Sequence, residues 1–191
     1  MATTILRPDA TTSHAGWNTT TPHVNLGDND SSTTVLQNRQ TCNFTGRLED
    51  IAAGLSGATI NSFTISLEAA AGRSGSSTVA MSLVHSSDGA FASETESFTG
   101  TSSTQTTSAF STQQDGSSAL TIAYINACEV KIIPSIHGTT AKELFVTVDY
   151  TAAAVVAMGK VSGVTDSNIS KVNYQRNAVE LGKINGITDT D

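Results

Sequence analysis

The stretch ATINSFTISLE, from Ala58 to Glu68, decides the fold class of the chain. In its second half, apolar and polar residues take turns in the order Phe63, Thr64, Ile65, Ser66, Leu67, Glu68. A period of two puts the apolar side chains on one face of a strand and the polar side chains on the other. The stretch therefore predicts a β-strand with one buried face.

Two further stretches are typical of strands. Thr78–His85 (TVAMSLVH) follows a loop of turn-forming residues at 72–77. Lys142–Tyr150 (KELFVTVDY) again alternates, with these residues on its apolar face: Leu144, Val146, Val148. Because only a short loop separates residues 58–68 from residues 78–85, we predict that these two are neighbouring antiparallel strands.

The segments between these strands give weaker patterns. Thr33–Gln37 is short and β-prone, and the Ser/Thr-rich stretch Phe91–Thr112 predicts a pair of strands anchored by Phe98 and Phe110. Ala119–Val130 (ALTIAYINACEV) has apolar residues at helical spacing, although its β-branched residues weaken a helix. We predict a short helix or a turn there.

Composition and element order together predict an all-β protein. Apolar residues make up 38% of the 191 residues and charged residues 14%, and the apolar residues fall in short runs unlike those of a disordered chain. Short strands separated by turn signals, with little helix, predict an antiparallel β-sandwich. The composition changes after Tyr150, so we predict a sandwich domain over residues 1–151 and a C-terminal extension over residues 152–191.

Charge narrows the range of partners. The formal net charge is −7, which argues against a nucleic-acid binder or an anionic membrane surface as partner. No signal segment or long apolar run is present, so we expect a protein made in a cytoplasm, without membrane insertion. Cys42 and Cys128 lie far apart and are predicted to be free buried thiols. No cofactor and no metal site are predicted.

A short repeat occupies the extension. Its units are Met158–Ser162 (MGKVS), Ile169–Asn173 (ISKVN) and Leu181–Asn185 (LGKIN). Each unit is too short to bury a core, so it must dock on the sandwich or pack against copies in other chains. We favour a closed homo-oligomer, a trimer first, over a peptide lying on its own domain. The predicted contact residues are Met158, Val161, Val164, Ile169, Val172, Leu181, Ile184 and Ile187.

Catalytic patterns are weak. The histidines lie in unrelated segments: His14, His23, His85, His137. Glu94 and Glu96 share one side of a predicted strand, which favours a solvated polar face over paired glycosidase carboxylates. Asp28, Asn29 and Asp30 could supply oxygens to calcium, but a turn before a strand is the favoured interpretation. We therefore predict that the protein is not an enzyme.

Trp17 is the first candidate for a sugar contact. It is the only tryptophan of the chain, and sugar-binding sandwiches stack sugar rings on aromatic side chains. A tryptophan beside a glycine, here Gly16, also serves to close the end of a core, which is the favoured interpretation.

A series of segments resembles a known module. The segments are LRPD at Leu6–Asp9, Gly16–Trp17, the acidic loop Gly27–Ser32, GATI at Gly57–Ile60, INACEVKI at Ile125–Ile132 and Leu144–Tyr150. Their order over residues 3–151 resembles a jelly-roll-like β-sandwich of tailed-bacteriophage structural proteins. The resemblance implies a virion component and carries no catalytic residues.

The repeat has a resemblance of its own. Over residues 158–187 its units are similar to the Ile-Gly-Lys-Val-Asn-Gly-Val repeat of phage and marine viral structural proteins. The middle unit departs from that pattern, because Tyr174 stands where Gly163 and Gly186 stand in the other units.

These resemblances imply a non-enzymatic structural protein of a bacteriophage virion. It would be a head decoration, a head fibre, a tail fibre or a baseplate accessory, and its partners would be other capsid or tail proteins. The alternative function is a carbohydrate-binding module that recognises host-surface glycans. A polysaccharide depolymerase is disfavoured because no acid–base pair stands out.

Overall fold

The computed structural model describes residues 1–37, 42–72, 75–136 and 138–153. Its strands are β1 (Ala2–Leu6), β2 (Pro8–Ala15), β3 (Val35–Leu36), β4 (Asn43–Leu48), β5 (Thr59–Ala70), β6 (Ser76–His85), β7 (Gly89–Thr99), β8 (Ser103–Thr106), β9 (Cys128–Pro134) and β10 (Thr140–Thr151). Two short helices, α1 (Pro22–Leu26) and α2 (Ile122–Asn126), and a 3-10 turn at Ala53–Leu55 complete the elements. No helix of the described residues is long and apolar enough to cross a membrane.

The strands form two antiparallel sheets. The first has the order β1-β10-β5-β8 with β3 also on β10, and the second has the order β2-β4-β9-β6-β7. Eight of the strands pair as in a jelly roll, β1 with β10, β4 with β9, β5 with β8 and β6 with β7. The predicted all-β antiparallel sandwich is confirmed, and its strand order is that of a jelly roll.

One apolar core fills the space between the sheets. The alternation in the sequence is confirmed, because Phe63, Ile65 and Leu67 of β5 are all at most 1% exposed. The predicted apolar face of β10 is likewise fully buried: Leu144, Val146, Val148. The core is made by residues of both sheets and is closed at its margin by Trp17 and Tyr124.

The predicted pairing of residues 58–68 with residues 78–85 is wrong. β5 pairs with β10 and β8, whereas β6 pairs with β7 and β9 in the opposite sheet. At Gly72, just after β5, the chain passes close to the loop before β10. A Cβ on Gly72 would lie 2.3 Å from the Gly138 carbonyl oxygen. Both strands bury an apolar face in the same core from opposite sides, so alternation alone does not distinguish a hairpin from a crossing between sheets.

The segments with weaker sequence patterns also form strands and a helix. The stretch 91–112 holds two strands, β7 and β8, but they lie in different sheets. Residues 119–130 hold α2, whose first turn is capped by the Thr121 hydroxyl, which accepts a hydrogen bond from Tyr124 N at 3.1 Å. Cys42 and Cys128 are free and buried, as predicted.

The C-terminal extension stays a prediction. β10 ends at Thr151, and the description of the chain ends at residue 153. The repeat residues from Met158 to Ile187, named above as contact residues, lie outside the described residues.

Candidate ligand groove

A groove of about 470 Å³ lies between a bulge in β7 and the segment that follows β8. We call it the β7 groove. Its walls carry hydroxyl and amide groups and one half-buried aromatic ring, and none of the described side chains that line it is ionisable. The lining residues are Phe91, Ala92, Ser93, Ala109, Phe110, Ser111, Thr112, Gln113, Gln114 and Gly116.

The first wall is a β-bulge. Met81 pairs with Glu94 and Leu83 pairs with Phe91, so Ala92 and the residue after it face a single residue of β6. Ala92 has φ of 51°, in the left-handed region that side chains other than glycine rarely adopt. Such a conformation costs about 1–3 kcal/mol and persists only where the surrounding structure imposes it, often at binding sites.

The second wall is fixed to β5. Phe63 and Phe110 exchange two backbone hydrogen bonds of 2.9 Å, and Thr107 N donates to the Ile65 carbonyl at 3.0 Å. The Glu94 carboxylate of β7 accepts hydrogen bonds from the backbone N–H and the hydroxyl of Ser108. Glu94 therefore ties the two walls together, which gives this carboxylate a structural role.

A run of stacked rings supports the groove from below. The half-buried Phe110 ring stacks on the buried Phe63 ring at 5.4 Å, and Phe63 meets Phe91 edge-on at 6.0 Å. Phe91 in turn meets Tyr124 edge-on at 5.5 Å, and Tyr124 stacks on His85 at 4.1 Å. Aromatic contacts of this kind hold rings in place, so Phe110 presents a fixed apolar surface.

The Tyr124 hydroxyl holds the end of the second wall that carries Gln113 and Gln114. It accepts a hydrogen bond from Gln114 N at 3.3 Å and donates one to Asp88 Oδ2 at 3.2 Å. The pKa of Asp88 is lowered, first by its hydrogen bond from the Ser87 hydroxyl and also by that from Tyr124, so it stays an acceptor at neutral pH. His85 Nδ1 lies 3.3 Å from the same Asp88 oxygen.

Several polar groups of the groove are left free for a ligand. Within the described part of the chain, the side chains of Ser93, Ser111, Thr112 and Gln114 have no hydrogen-bond partner. The Gln113 amide, in contrast, donates to the Ala119 carbonyl at 2.7 Å and so stabilises its own loop. The groove thus combines an apolar ring surface with hydroxyls and an amide available for hydrogen bonds.

Trp17, the first candidate for a sugar contact in the sequence, is a buried residue of the core margin. Its ring is only 6% exposed, and Nε1 donates to the Asn43 carbonyl at 2.8 Å. A smaller cleft of about 240 Å³ runs along residues 14–20 and touches this ring. The ring faces inward and its N–H is already bonded. The burial therefore supports the favoured interpretation, that Trp17 closes the end of the core.

The other predicted site residues are dispersed. His14 is exposed on β2, His23 shares a 2.8 Å hydrogen bond with the Thr11 hydroxyl, and His137 lies outside the described residues. Of the described histidines, His85 belongs to the run of rings below the groove. The described residues include no group of three or more His, Cys, Asp or Glu side chains placed to hold a metal ion.

The acidic loop before β3 is a turn. Asp28 Oδ1 accepts from Asp30 N at 3.0 Å, and Asp30 Oδ1 accepts from Ser32 N at 2.9 Å. The second Asp28 oxygen accepts from the Thr33 hydroxyl at 2.7 Å. These are hydrogen bonds of Asx turns, so the structure supports the turn interpretation over the calcium interpretation.

Comparison with known proteins gives only remote similarity. No family model matches the chain, and no curated protein does. Among solved structures, it is similar to the C-terminal CBM6 of LamC, a laminarinase of Zobellia galactanivorans, with a TM-score of 0.43, 8% identity, and coverage of 77% of this chain and 98% of that one. It is also similar to the carbohydrate-binding module CBM6cm-2 of Cellvibrio mixtus lichenase 5A in complex with cellotriose, with a TM-score of 0.38, 10% identity, and coverage of 78% and 97%. At these TM-scores and identities, the similarities are too weak to add to the case for a function.

Proposed function

We propose that the β-sandwich is a glycan-binding module without catalytic activity, and that the β7 groove is its binding site. The observation that carries the proposal is the Phe110 ring, which is backed by Phe63 on one side and borders the groove. A sugar ring has an apolar C–H face and a rim of hydroxyls. The groove offers the matching surfaces, an aromatic ring for the face and free hydroxyl and amide groups for the rim.

The size of the groove supports the proposal. Its volume of about 470 Å³ falls within the range of about 300–1,000 Å³ usual for small-ligand sites. Both walls are fixed by backbone hydrogen bonds and by the Glu94 carboxylate, so little ordering of the protein is needed when a ligand binds.

The chemistry of the lining residues supports binding rather than hydrolysis. Glycosidases act through a pair of carboxyl groups that flank the bond to be cleaved. No carboxyl group is among the described residues that line the groove, and the adjacent Glu94 is engaged by Ser108. A bound glycan would therefore be held and not cleaved.

The first test removes the ring. We expect wild-type protein to be retarded in a gel that contains a neutral polysaccharide, and Phe110→Ala to lose at least about tenfold in affinity, because ring contacts supply about 0.5–1.5 kcal/mol beyond the apolar area they bury. Phe110→Leu keeps apolar packing against Phe63 but not the flat ring, so it separates lost stacking from lost stability. Phe145→Ala is the matched control. Phe145 lies on β10, away from the groove, and its half-buried ring packs against Arg7.

Two results would contradict the proposal. Wild-type protein that binds none of a broad panel of polysaccharides would exclude a glycan module. Phe110→Ala protein that binds as well as wild type, while Phe145→Ala does not, would move the site to the outer face of the first sheet.

The C-terminal repeat favours a second function that is compatible with the first. We propose that the whole chain is a structural component of a virion, on the head or the tail, and that the repeat assembles or anchors it. The repeated apolar positions in residues 158–187 support the assembly part of this proposal, because such short units need a partner to bury them. The virion part rests on the resemblance of the repeat and of the segment order to phage structural proteins.

Light scattering on the intact chain tests the assembly part. We expect a trimer or a larger oligomer for the wild type and a monomer after Val161→Asp, Val172→Asp and Ile184→Asp together, because charges at these positions oppose burial. A chain ending at Ala153 keeps all the described strands and should also be a monomer. Monomers in every case would show that the repeat does not self-assemble.

A further inference from the structure

We infer that Asp115 is a specificity-determining residue that repels anionic glycans, so that the β7 groove selects uncharged sugars. The inference rests on the proposed glycan binding and adds the class of ligand. Its starting point is the position of one fixed carboxylate between two residues that line the groove, Gln114 and Gly116.

The Asp115 carboxylate is fixed within the loop that supplies Gln113, Gln114 and Gly116 to the groove, although it is not itself a lining group. Its carboxylate accepts hydrogen bonds from Ser117 N at 2.9 Å, from Ser118 N at 2.7 Å and from the Ser118 hydroxyl. Gln113 and Gly116 close the same loop through a backbone hydrogen bond of 3.0 Å. These bonds hold the carboxylate in one position in its loop, one residue along the chain from the lining residues Gln114 and Gly116.

The carboxylate is ionised at any pH at which the protein would work. Its hydrogen bonds, with the Ser118 hydroxyl first, lower the pKa of Asp115 to about 2. A ligand that approaches the Gln114 side of the groove meets a full negative charge.

Among the described residues, no cation is seen paired with Asp115. Two further groups near the groove are carboxylates as well: Glu94, which ties the walls together, and Asp88, whose Oδ2 lies 3.3 Å from His85 Nδ1. Lys131 pairs with Ser82, so it lies two strands away from β7, or about 10 Å. The other ion pairs within the described residues join Arg7 to Glu143, Arg47 to Asp9 and Lys142 to Glu68.

The size of the expected discrimination follows from distance and screening. Two like charges about 7 Å apart at a protein surface repel enough to change an affinity about three- to tenfold. The repulsion falls off over a Debye length of about 8 Å at physiological salt and about 3 Å at 1 M salt. Discrimination against anions should therefore be strongest in dilute buffer and should weaken as salt is added.

The experiment compares one polymer in two charge states. The probe is a neutral polysaccharide that retards the full-length wild-type protein, used as such and after carboxymethylation. We expect the wild type to bind the neutral form at least tenfold more tightly in dilute buffer, and Asp115→Asn to reduce this preference about threefold or more. The asparagine oxygen can still accept from Ser117 N and Ser118 N, and the amide nitrogen can donate to the Ser118 hydroxyl in place of the bond that Oδ2 accepts.

Asp30→Asn is the matched control. Asp30 is also an exposed turn carboxylate that accepts from a serine N–H, and its loss changes the net charge by the same amount. Its loop leads into β3, at the opposite edge of the first sheet from β8, about 14 Å away by strand spacing. We expect Asp30→Asn to leave the preference unchanged, which would separate a local charge effect from a global one.

The outcomes are distinct. If no neutral polymer retards the wild type, both the glycan function and this inference are wrong. If the wild type binds neutral and carboxymethylated polymer alike, or if Asp115→Asn and Asp30→Asn act equally, the glycan function stands and the role of Asp115 is wrong.

Discussion

The β7 groove and the cleft along residues 14–20 each border an aromatic residue, and the two rings are held in different ways. Trp17 turns its ring into the core and uses its N–H on the Asn43 carbonyl. Phe110 rests on another ring, that of Phe63, and stays half-buried beside the larger groove. An aromatic side chain is available to a ligand when its support comes from one side only. Trp17 has become part of the core, whereas Phe110 is a surface that the core supports.

The largest expected effect concerns stability at the Trp17 cleft. Trp17→Ala should lower the free energy of unfolding by about 3–5 kcal/mol, because it removes a large buried ring and leaves a cavity. Urea denaturation measures this loss. Protein that remains folded should bind glycan like the wild type. If instead affinity is lost while the urea midpoint hardly moves, the roles of the two rings are reversed.

A second comparison uses the buried thiols, one near each cleft. Cys42 precedes the Asn43 that bonds Trp17, and Cys128 Sγ donates to the Tyr124 carbonyl at 3.2 Å. Burial raises the pKa of both thiols to about 12. Both should react with iodoacetamide at pH 9 on the order of several hundredfold more slowly than in the unfolded chain, where thiols ionise near pH 8.5.

The same shift fixes how stability depends on pH. A thiol pKa that is raised in the folded state contributes stability that is complete below the unfolded pKa and is lost as pH rises from about 9 toward 12. Urea midpoints measured from pH 7 to pH 11 should therefore decrease once the pH exceeds about 9. Cys42→Ala and Cys128→Ala variants would assign the fall to one cleft or the other, and a flat profile would contradict the burial.

A smaller effect is expected from a single hydroxyl below the groove. Tyr124→Phe keeps the ring stack and removes the hydrogen bonds to Gln114 N and Asp88, which should cost about 1 kcal/mol. Amide exchange measured by NMR should speed up at Gln114 and leave the Trp17 cleft unchanged. Tyr150→Phe, in a half-buried residue of β10, is the control, and equal exchange in the two variants would show that the hydroxyl does not hold the wall.

The smallest effect tests the bulge. Glycine adopts the left-handed conformation of Ala92 without strain but costs more entropy on folding, so Ala92→Gly should stabilise the fold by no more than about 1 kcal/mol. Ala90→Gly, in the same strand two residues earlier, should instead destabilise it by about 0.5–1 kcal/mol. Thermal melting of both variants distinguishes them, and a loss at position 92 as large as at position 90 would argue against strain at the bulge.

The sequence predicted the strands better than their partners. The alternation of Phe63, Ile65 and Leu67 identifies a buried face, because the period of a strand shows directly in the chain. The same alternation does not say which strand supplies the hydrogen bonds, so β6 was assigned to the wrong sheet. A short helix or a turn at α2 could be predicted because the spacing of its apolar residues is a local signal.

The candidate site was harder to predict. Phe110 was recognised as an anchor of its stretch, but its exposure depends on a stack with Phe63, which lies 47 positions earlier in the chain. Ala92 gives no signal at all, since alanine is not a turn former and its positive φ follows from the register of β6 and β7. Ser111, Thr112 and Gln114 are common polar residues that form no recognisable motif in the sequence. They form a candidate site only because the fold places them opposite the bulge in β7.

The pairing of β1 with β10 has a consequence for the order of folding during synthesis. Ala2 pairs with Tyr150, and β10 also supplies the hydrogen bonds of β5, so the last described strand is the centre of the first sheet. β1, which is synthesised before the other strands described here, must wait for β10 before the first sheet can close. Such non-local pairing slows β-sandwich folding, so we expect the domain to close in one late step, once residue 151 has emerged from the exit tunnel.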